Sequence, residues 1–306
     1  MIRNYAIALD VGGTSVKSAI VSSEGKLANG SIRQTPIESK GSREIIISTF
    51  ADAIKTLLHF ARDQKFVIAG IGIGMPGPFD YENGISLIKG VDKYESIYGL
   101  NLKMEFRKRL NLACEYPIYL ENDGWAFTRG EAWMGAGKGY TRVIGLTLGT
   151  GLGSGFVLND EIALEGKGIP PLAWIGGMRY ENGIVDDRIS RRGIIKRYLE
   201  LNAHGSSQID VKEIAQKAEK GDLTALRSFE ETGRILGQIL LPVISSFQPE
   251  CIIVGGKIAH SYHLMSNSLE GTIRASISNI EIFRAQNIEY SALLGAGRFL
   301  FKNLGA

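Results

Sequence analysis

Two aspartates in this chain stand where the residue types around them could carry chemistry. Asp10 ends the apolar run Tyr5-Ala-Ile-Ala-Leu-Asp10 and is followed by Gly12-Gly13-Thr14. A Gly-Gly-Thr turn can present backbone N–H groups and a hydroxyl to a phosphate, and a carboxylate beside it can hold a hydrated Mg²⁺. Asp123 follows Asn122 in Pro117-Ile-Tyr-Leu-Glu-Asn-Asp-Gly124, at the end of another apolar run. A carboxylate there can take a proton from an alcohol, and the adjacent amide, which both donates and accepts, can fix that alcohol's orientation. The same pair also reads as an ordinary helix N-cap, and a cap does not occupy every lone pair. Gly72-Ile-Gly-Met-Pro-Gly-Pro-Phe-Asp80 is a third candidate: its backbone around Pro76 and Gly77 would line a polar substrate, or it is a structural turn.

The first turn has a counterpart. Val143–Val157 repeats the plan of apolar strand, Gly149-Thr150-Gly151 turn and apolar strand. Two such elements near the starts of the two halves indicate a duplicated fold, each half offering a phosphate loop to one nucleotide. The chain has no Gly-x-x-x-x-Gly-Lys-Ser/Thr, and the first hairpin is not a strand–Gly-x-Gly-x-x-Gly–helix unit.

The elements that must carry these residues alternate between strand and helix, which argues for an α/β fold. Lys26–Arg33 reads as a third strand, Arg43–Arg62 as a helix with Ile46, Ile47, Phe50, Ala53, Ile54, Leu57 and Leu58 at helical spacing, and Val67–Gly74 as a buried strand. Leu102–Leu110 and Gly124–Met134 read as helices around the strand Ile118–Leu120. Beyond the strand Thr141–Leu148 come helices at Ser190–Asn202, Val211–Lys220 and Leu223–Phe247, a short strand Cys251–Val254 before Gly255-Gly256, and a closing helix Ala292–Phe301. Two domains are expected, 1–121 with 291–306 and 122–290, the last helix returning to the first. Arg188, Arg191, Arg192, Lys196 and Arg197 are expected to form a solvated helix face.

Bulk properties exclude several classes. With 306 residues there is room for two α/β domains. A net charge of +3 gives no argument for a nucleic-acid or membrane partner. No segment approaches the roughly 18 continuous apolar residues of a membrane span. Cys114 and Cys251 are the only cysteines, so no disulfide scaffold is expected. The chain enters a strand directly after Met1-Ile-Arg-Asn4; no signal peptide is expected, and the cytoplasm is the default compartment.

The motifs together resemble the ROK family of sugar kinases, within the actin–hexokinase–Hsp70 superfamily. The matching residues are Asp10-x-Gly12-Gly13-Thr14-x-x-Lys17, Gly72-x-Gly74-Met75-Pro76-Gly77, Glu121-Asn122-Asp123 and Leu148-Gly149-Thr150-Gly151-x-Gly153. Val254-Gly255-Gly256 resembles the family's adenosine-side Gly-Gly, and Leu294-Gly295-Ala296 the start of its closing helix. The resemblance implies a two-domain, actin-like ATPase fold with ATP–Mg²⁺ in the interdomain cleft. Gly12–Thr14 and Gly149–Gly151 would hold phosphates, and Asp10 would place Mg²⁺ through water. Asp123 would be the base on a sugar hydroxyl, most often the 6-OH, with Asn122 and the Gly77 loop on neighbouring hydroxyls. It further implies a homodimer.

The chain departs from the family at Ala173-Trp-Ile-Gly-Gly-Met178. There the family carries Gly-Glu-Ile-Gly-His and then a Cys-x-Cys-Gly-x-x-Gly-Cys zinc site. Trp174 replaces the sugar-binding Glu, Gly177 replaces the His, and the three cysteines are missing. His59, His204, His260 and His263 lie elsewhere. Tetrahedral zinc needs about four N/S ligands, so no structural zinc is expected. The change widens the acceptors to another hexose, a glycoside, an amino sugar or a cyclic polyol. Trp174 would stack on the acceptor or serve as packing. Two functions remain in view: an ATP-dependent carbohydrate kinase, and a non-catalytic sugar-binding regulator of the same fold.

Overall fold

The computed structural model describes residues 4–202 and 208–305. Contacts divide the chain into two compact units, Met1–Met134 with Tyr290–Ala306, and Gly135–Glu289. In the first, β1 (Tyr5–Val11), β2 (Ser15–Ser22), β3 (Arg33–Pro36), α1 (Arg43–Asp63) and β4 (Ile68–Met75) precede a small ribbon of β5 (Phe79–Asp80) and β6 (Ile85–Ser86). Then follow α2 (Leu102–Leu110), β7 (Ile118–Asn122) and α3 (Asp123–Met134). The second holds β8 (Arg142–Leu148), β9 (Leu152–Leu158), β10 (Glu161–Ile162), the ribbon β11 (Arg179–Tyr180) and β12 (Gly183–Ile184), and α4 (Val185–Ile189). It continues with α5 (Arg191–Leu201), α6 (Val211–Glu219), α7 (Leu223–Phe247), β13 (Cys251–Gly255), α8 (Ser266–Arg274) and β14 (Glu281–Arg284). The closing helix α9 (Ser291–Asn303) belongs to the first unit.

The two sheets have one plan. Their strand orders are β3-β2-β1-β4-β7 and β10-β9-β8-β13-β14. In each, an antiparallel hairpin (β1–β2, β8–β9) is extended by two parallel strands. The repeated strand–turn–strand motif of the sequence is therefore a repeated unit of topology, and the fold is the two-sheet α/β plan expected.

Strand β1 shows how the sequence sets the layers. Its side chains alternate faces. Ile7 and Leu9 join a large-residue core with Ile46, Phe50, Ile54 and Leu57 of α1. Ala8 faces the other way, against Leu293, Leu294 and Ala296 of α9. Where α9 comes closest the sheet carries glycine: a Cβ at Gly72 would run into the Ala296 carbonyl. Helices α3 and α9 touch backbone to backbone for the same reason. A Cβ on Gly130 would strike the Ser291 carbonyl, and one on Gly295 the Ala126 carbonyl. This packing keeps α3 with the first unit, whereas the sequence placed the boundary near residue 121.

The third strand also differs from expectation. It is Arg33–Pro36, not Lys26–Arg33. Gly30, within the expected span, takes φ of 74°, turn geometry that breaks an extended run. The buried Ser31 hydroxyl donates to Ala28 O and accepts from Ile20 N, a side-chain tie in place of a ladder. Arg197 is buried and donates to Thr232 Oγ1 at 2.6 Å, so it is not part of a solvated face. His204 lies outside the described residues.

Candidate active site

In the first unit the candidate residues collect at the carboxyl ends of β1, β4 and β7, where parallel α/β sheets bind ligands. Asp10 is paired with Gly74 of β4 and with Lys17 of β2. Met75 is paired with Asn122. Gly74 lets the start of α3 approach β4: a Cβ there would lie 3.3 Å from the Ala126 Cβ.

Strand β7 passes into α3 with no intervening loop, so Asn122 and Asp123 sit at the helix start. The Gly124 N–H donates to Asn122 Oδ1 and to Asp123 Oδ1, each at 2.9 Å. The capping role read from the sequence is therefore filled through one oxygen of each side chain, and the Asp123 carboxylate carries a second oxygen. Desolvation raises the Asp123 pKa above its ordinary value of 3.8, while the Lys93 ammonium and the Gly124 N–H pull in the opposite direction. The rise wins, which makes Asp123 a better proton acceptor than a surface carboxylate.

Two tyrosines and a lysine carry no signal in the local sequence. Tyr81 donates to Met75 O at 2.9 Å and accepts from Asn122 Nδ2 at 3.1 Å. Its ring lies between Phe79 and Trp125, 5.4 Å from each. A Cβ on Gly77 would come within 3.0 Å of the Tyr81 hydroxyl, so glycine there admits the tyrosine, next to a cis Gly77–Pro78 bond. Tyr94 is fully buried and donates to Gly12 O. Burial, and after it the charges of Asp10 and Asp123, push its phenol upward. Lys93 is half-buried on the same loop.

The second unit forms its own cluster at the ends of β8 and β13. The Gly149 N–H donates to Gly151 O at 3.0 Å, and the α5 N-terminus donates from Arg191 N to Gly149 O at 2.9 Å. Asp186 Oδ1 accepts from Leu152 N and lies 3.0 Å from where a Gly151 Cβ would be. Its other oxygen takes Arg192 Nη2 at 2.6 Å. Thr147 is paired with Gly255, and Gly256, with φ of 80°, packs against the Leu148 backbone, so Gly255-Gly256 adjoins the Gly149-Thr150-Gly151 turn. Trp174 reaches the same hairpin: its Nε1 donates to Leu152 O at 2.7 Å. A Cβ on Gly177 would lie 2.5 Å from its ring, so Gly177 is the floor on which the indole rests, and 41% of Trp174 stays exposed. Among the described residues no group of three His, Cys, Asp or Glu could hold a metal ion, and no helix is long and apolar enough to cross a membrane.

The ROK family model matches residues 6–299. The chain belongs to the ROK family. Among curated proteins it is similar to the glucokinase of Thermotoga maritima, at 26% identity over 98% of each chain. Among solved structures it is similar to a ROK family glucokinase from Streptomyces griseus in complex with glucose and AMPPNP. That match has a TM-score of 0.77 and 24% identity, covering 96% of this chain and 98% of that one. It is also similar to a ROK family transcriptional regulator, a homolog of the E. coli MLC protein. Here the TM-score is 0.81 and the identity 19%, covering 98% of this chain and 78% of the regulator. These likenesses confirm the actin-like ATPase fold that the ROK motifs implied.

Proposed function

We propose that this chain, a sugar kinase of the ROK family, transfers the γ-phosphoryl group of ATP to a hydroxyl of a hexose or hexose-like polyol, the 6-OH by resemblance. Asp123 is the general base. The observation that carries this reading is the placement of Asp123: a carboxylate of raised pKa, anchored through one oxygen and flanked by the Asn122 amide, at the end of the same sheet where Asp10 pairs with Gly74 and Met75 with Asn122.

The first turn fits a phosphate. A Cβ on Gly13 would meet nothing within 4 Å, so the space beside that glycine is open. The Gly13 and Thr14 N–H groups, with the Lys17 ammonium on the adjoining strand, would receive phosphate oxygens. Asp10 would hold Mg²⁺ through water, and the ion would neutralise charge on the phosphates. In the second unit the Gly149–Gly151 turn would receive further phosphate oxygens, with Gly255 and Gly256 on the adenosine side. Asn122, Pro76 and Gly77 would hold the acceptor while Asp123 accepts the proton of the attacking hydroxyl. Such a transfer rests on positioning and charge stabilisation rather than on covalent work by the protein.

The changed segment favours an acceptor other than one read by a Glu and a His. Trp174 offers a partly exposed indole face, suited to the C–H face of a sugar ring or to an aglycone. The test is ADP release with ATP–Mg²⁺ across hexoses, amino sugars, glycosides and inositols. A strong acceptor whose KM rises in Trp174→Ala supports both the kinase and the stacking role. A flat panel, with binding of a sugar still detected, would instead favour the regulator reading, for which the likeness to a transcriptional regulator is the supporting observation.

A further inference from the structure

The Gly12–Thr14 turn is held from behind by residues distant in sequence. Tyr94 donates its hydroxyl to Gly12 O. Ser39 donates its hydroxyl to Gly13 O at 2.7 Å. Ile37 N donates to Thr14 O at 3.1 Å, and Tyr94 N donates to Ser39 O at 2.6 Å, which joins the supports to one another. Tyr94 holds φ of 58°, a left-handed conformation uncommon for a bulky residue. The surroundings therefore impose that backbone geometry at the point where the hydroxyl meets the turn.

A trans peptide points its C=O and its N–H in opposite directions. Fixing the Gly12 carbonyl therefore fixes the Gly13 N–H, and fixing the Gly13 carbonyl fixes the Thr14 N–H. Glycine on both sides of the first of these peptides leaves its plane otherwise free to rotate. Among the described residues neither the Gly13 nor the Thr14 N–H donates to a protein acceptor.

We propose that Tyr94 and Ser39 are positioning residues for the donor phosphates, which aim the Gly13 and Thr14 N–H groups by holding the carbonyls behind them. This inference rests on the kinase reading above.

The test uses the full chain and the variants Tyr94→Phe and Ser39→Ala. Binding of the Mg²⁺ complex of AMPPNP and of adenosine is measured by titration calorimetry, together with KM for ATP and for the acceptor. Each lost hydrogen bond should weaken AMPPNP by roughly three- to ten-fold and raise KM for ATP alike. Adenosine affinity and acceptor KM should stay within about two-fold, since neither ligand touches the turn's N–H groups. Unchanged AMPPNP affinity in both variants, in a chain that turns over, overturns the positioning role and leaves the kinase standing. Equal losses for AMPPNP and adenosine overturn it as well, because they mark a general structural defect. A wild-type chain that binds no AMPPNP removes the kinase reading and this inference with it.

Discussion

The Tyr81 hydroxyl stands between the Met75 carbonyl and the Asn122 amide, donating to one at 2.9 Å and accepting from the other at 3.1 Å. It thereby ties the end of β4 to the end of β7 and settles which way the Asn122 amide faces. With Nδ2 given to Tyr81 and Oδ1 to Gly124 N, that amide has one donor hydrogen and one lone pair left for an acceptor hydroxyl. Tyr81→Phe removes the bridge but keeps the ring against Phe79 and Trp125. Acceptor KM should rise several-fold, and unfolding should ease by about 1 kcal/mol, typical of a buried hydrogen bond. Steady-state kinetics and denaturant titration check both; unchanged acceptor KM would show that Asn122 needs no such support.

Asp123→Asn should cost turnover on the order of 10²- to 10⁴-fold, the usual contribution of a general base, with sugar affinity nearly kept. Its effect on stability should have the opposite sign. The folded-state pKa of Asp123 is raised, so between the ordinary value of 3.8 and the raised one the folded chain holds a proton that the unfolded chain has released. Stability from this group is present below 3.8 and declines as pH rises through the folded value. The asparagine carries no charge to desolvate, so the variant should unfold at a higher temperature at neutral pH, and its advantage should vanish in acid. The acidic limb of kcat in the wild type should lie above the range of a surface carboxylate. A variant less stable than wild type at neutral pH would contradict the desolvation argument.

The Gly149–Gly151 turn, proposed to hold phosphate, is braced by Asp186. Its buried carboxylate accepts the Leu152 N–H and an Arg192 guanidinium N–H, and it fills the space beside Gly151. Asp186→Ala leaves a buried N–H without its acceptor and a guanidinium without one of its carboxylates. It should destabilise the chain by about 1.5–3 kcal/mol, the range for hydrogen bonds to charged groups. KM for ATP should rise more than acceptor KM. Thermal unfolding and the split between the two KM values check this.

How much of this was legible depended on how local the cause was. Asp10-x-Gly12-Gly13-Thr14 and Asn122-Asp123 could be read because an apolar run, a glycine turn or a helix start lies within a few residues of each. The repeat at Gly149-Thr150-Gly151 gave the duplicated topology for the same reason. Tyr81, Ser39 and Tyr94 could not be read: Tyr94 meets Gly12 across 82 residues, and Tyr81 meets Asn122 across 41. In sequence they are two tyrosines and a serine in loops, and only the folding of the chain brings each to its partner. Trp174 was legible as a departure but not as a fit, since nothing in Trp-Ile-Gly-Gly shows that the indole folds back over Gly177. The third strand was misplaced because the turn at Gly30, inside the expected run, moves the extended segment on to Arg33–Pro36.

The contact of α3 with α9 allows a test of how far the site depends on packing behind it. Asp123 is the first residue of α3, and the helix is held to α9 where Gly130 lies against Ser291 O and Gly295 against Ala126 O. Both obstructing atoms are backbone, so neither can swing aside as a side chain would. Gly295→Ala gains helix propensity of about 1 kcal/mol, but it must push the two helices apart, and overpacking of this kind costs about 1–3 kcal/mol or more. The net should be destabilising. Separating the helices also shifts the N-terminus of α3, and small displacements of a catalytic group cost turnover steeply. Gly295→Ala should therefore lower kcat by at least ten-fold at a temperature where the chain stays folded, with KM for ATP little changed. Gly271→Ala, in α8 of the second unit, has nothing within 4 Å of its Cβ and serves as the control that should leave both unaffected. If Gly295→Ala keeps wild-type kcat while folded, the position of Asp123 is set by β7 and Gly124 alone rather than by the helix pair.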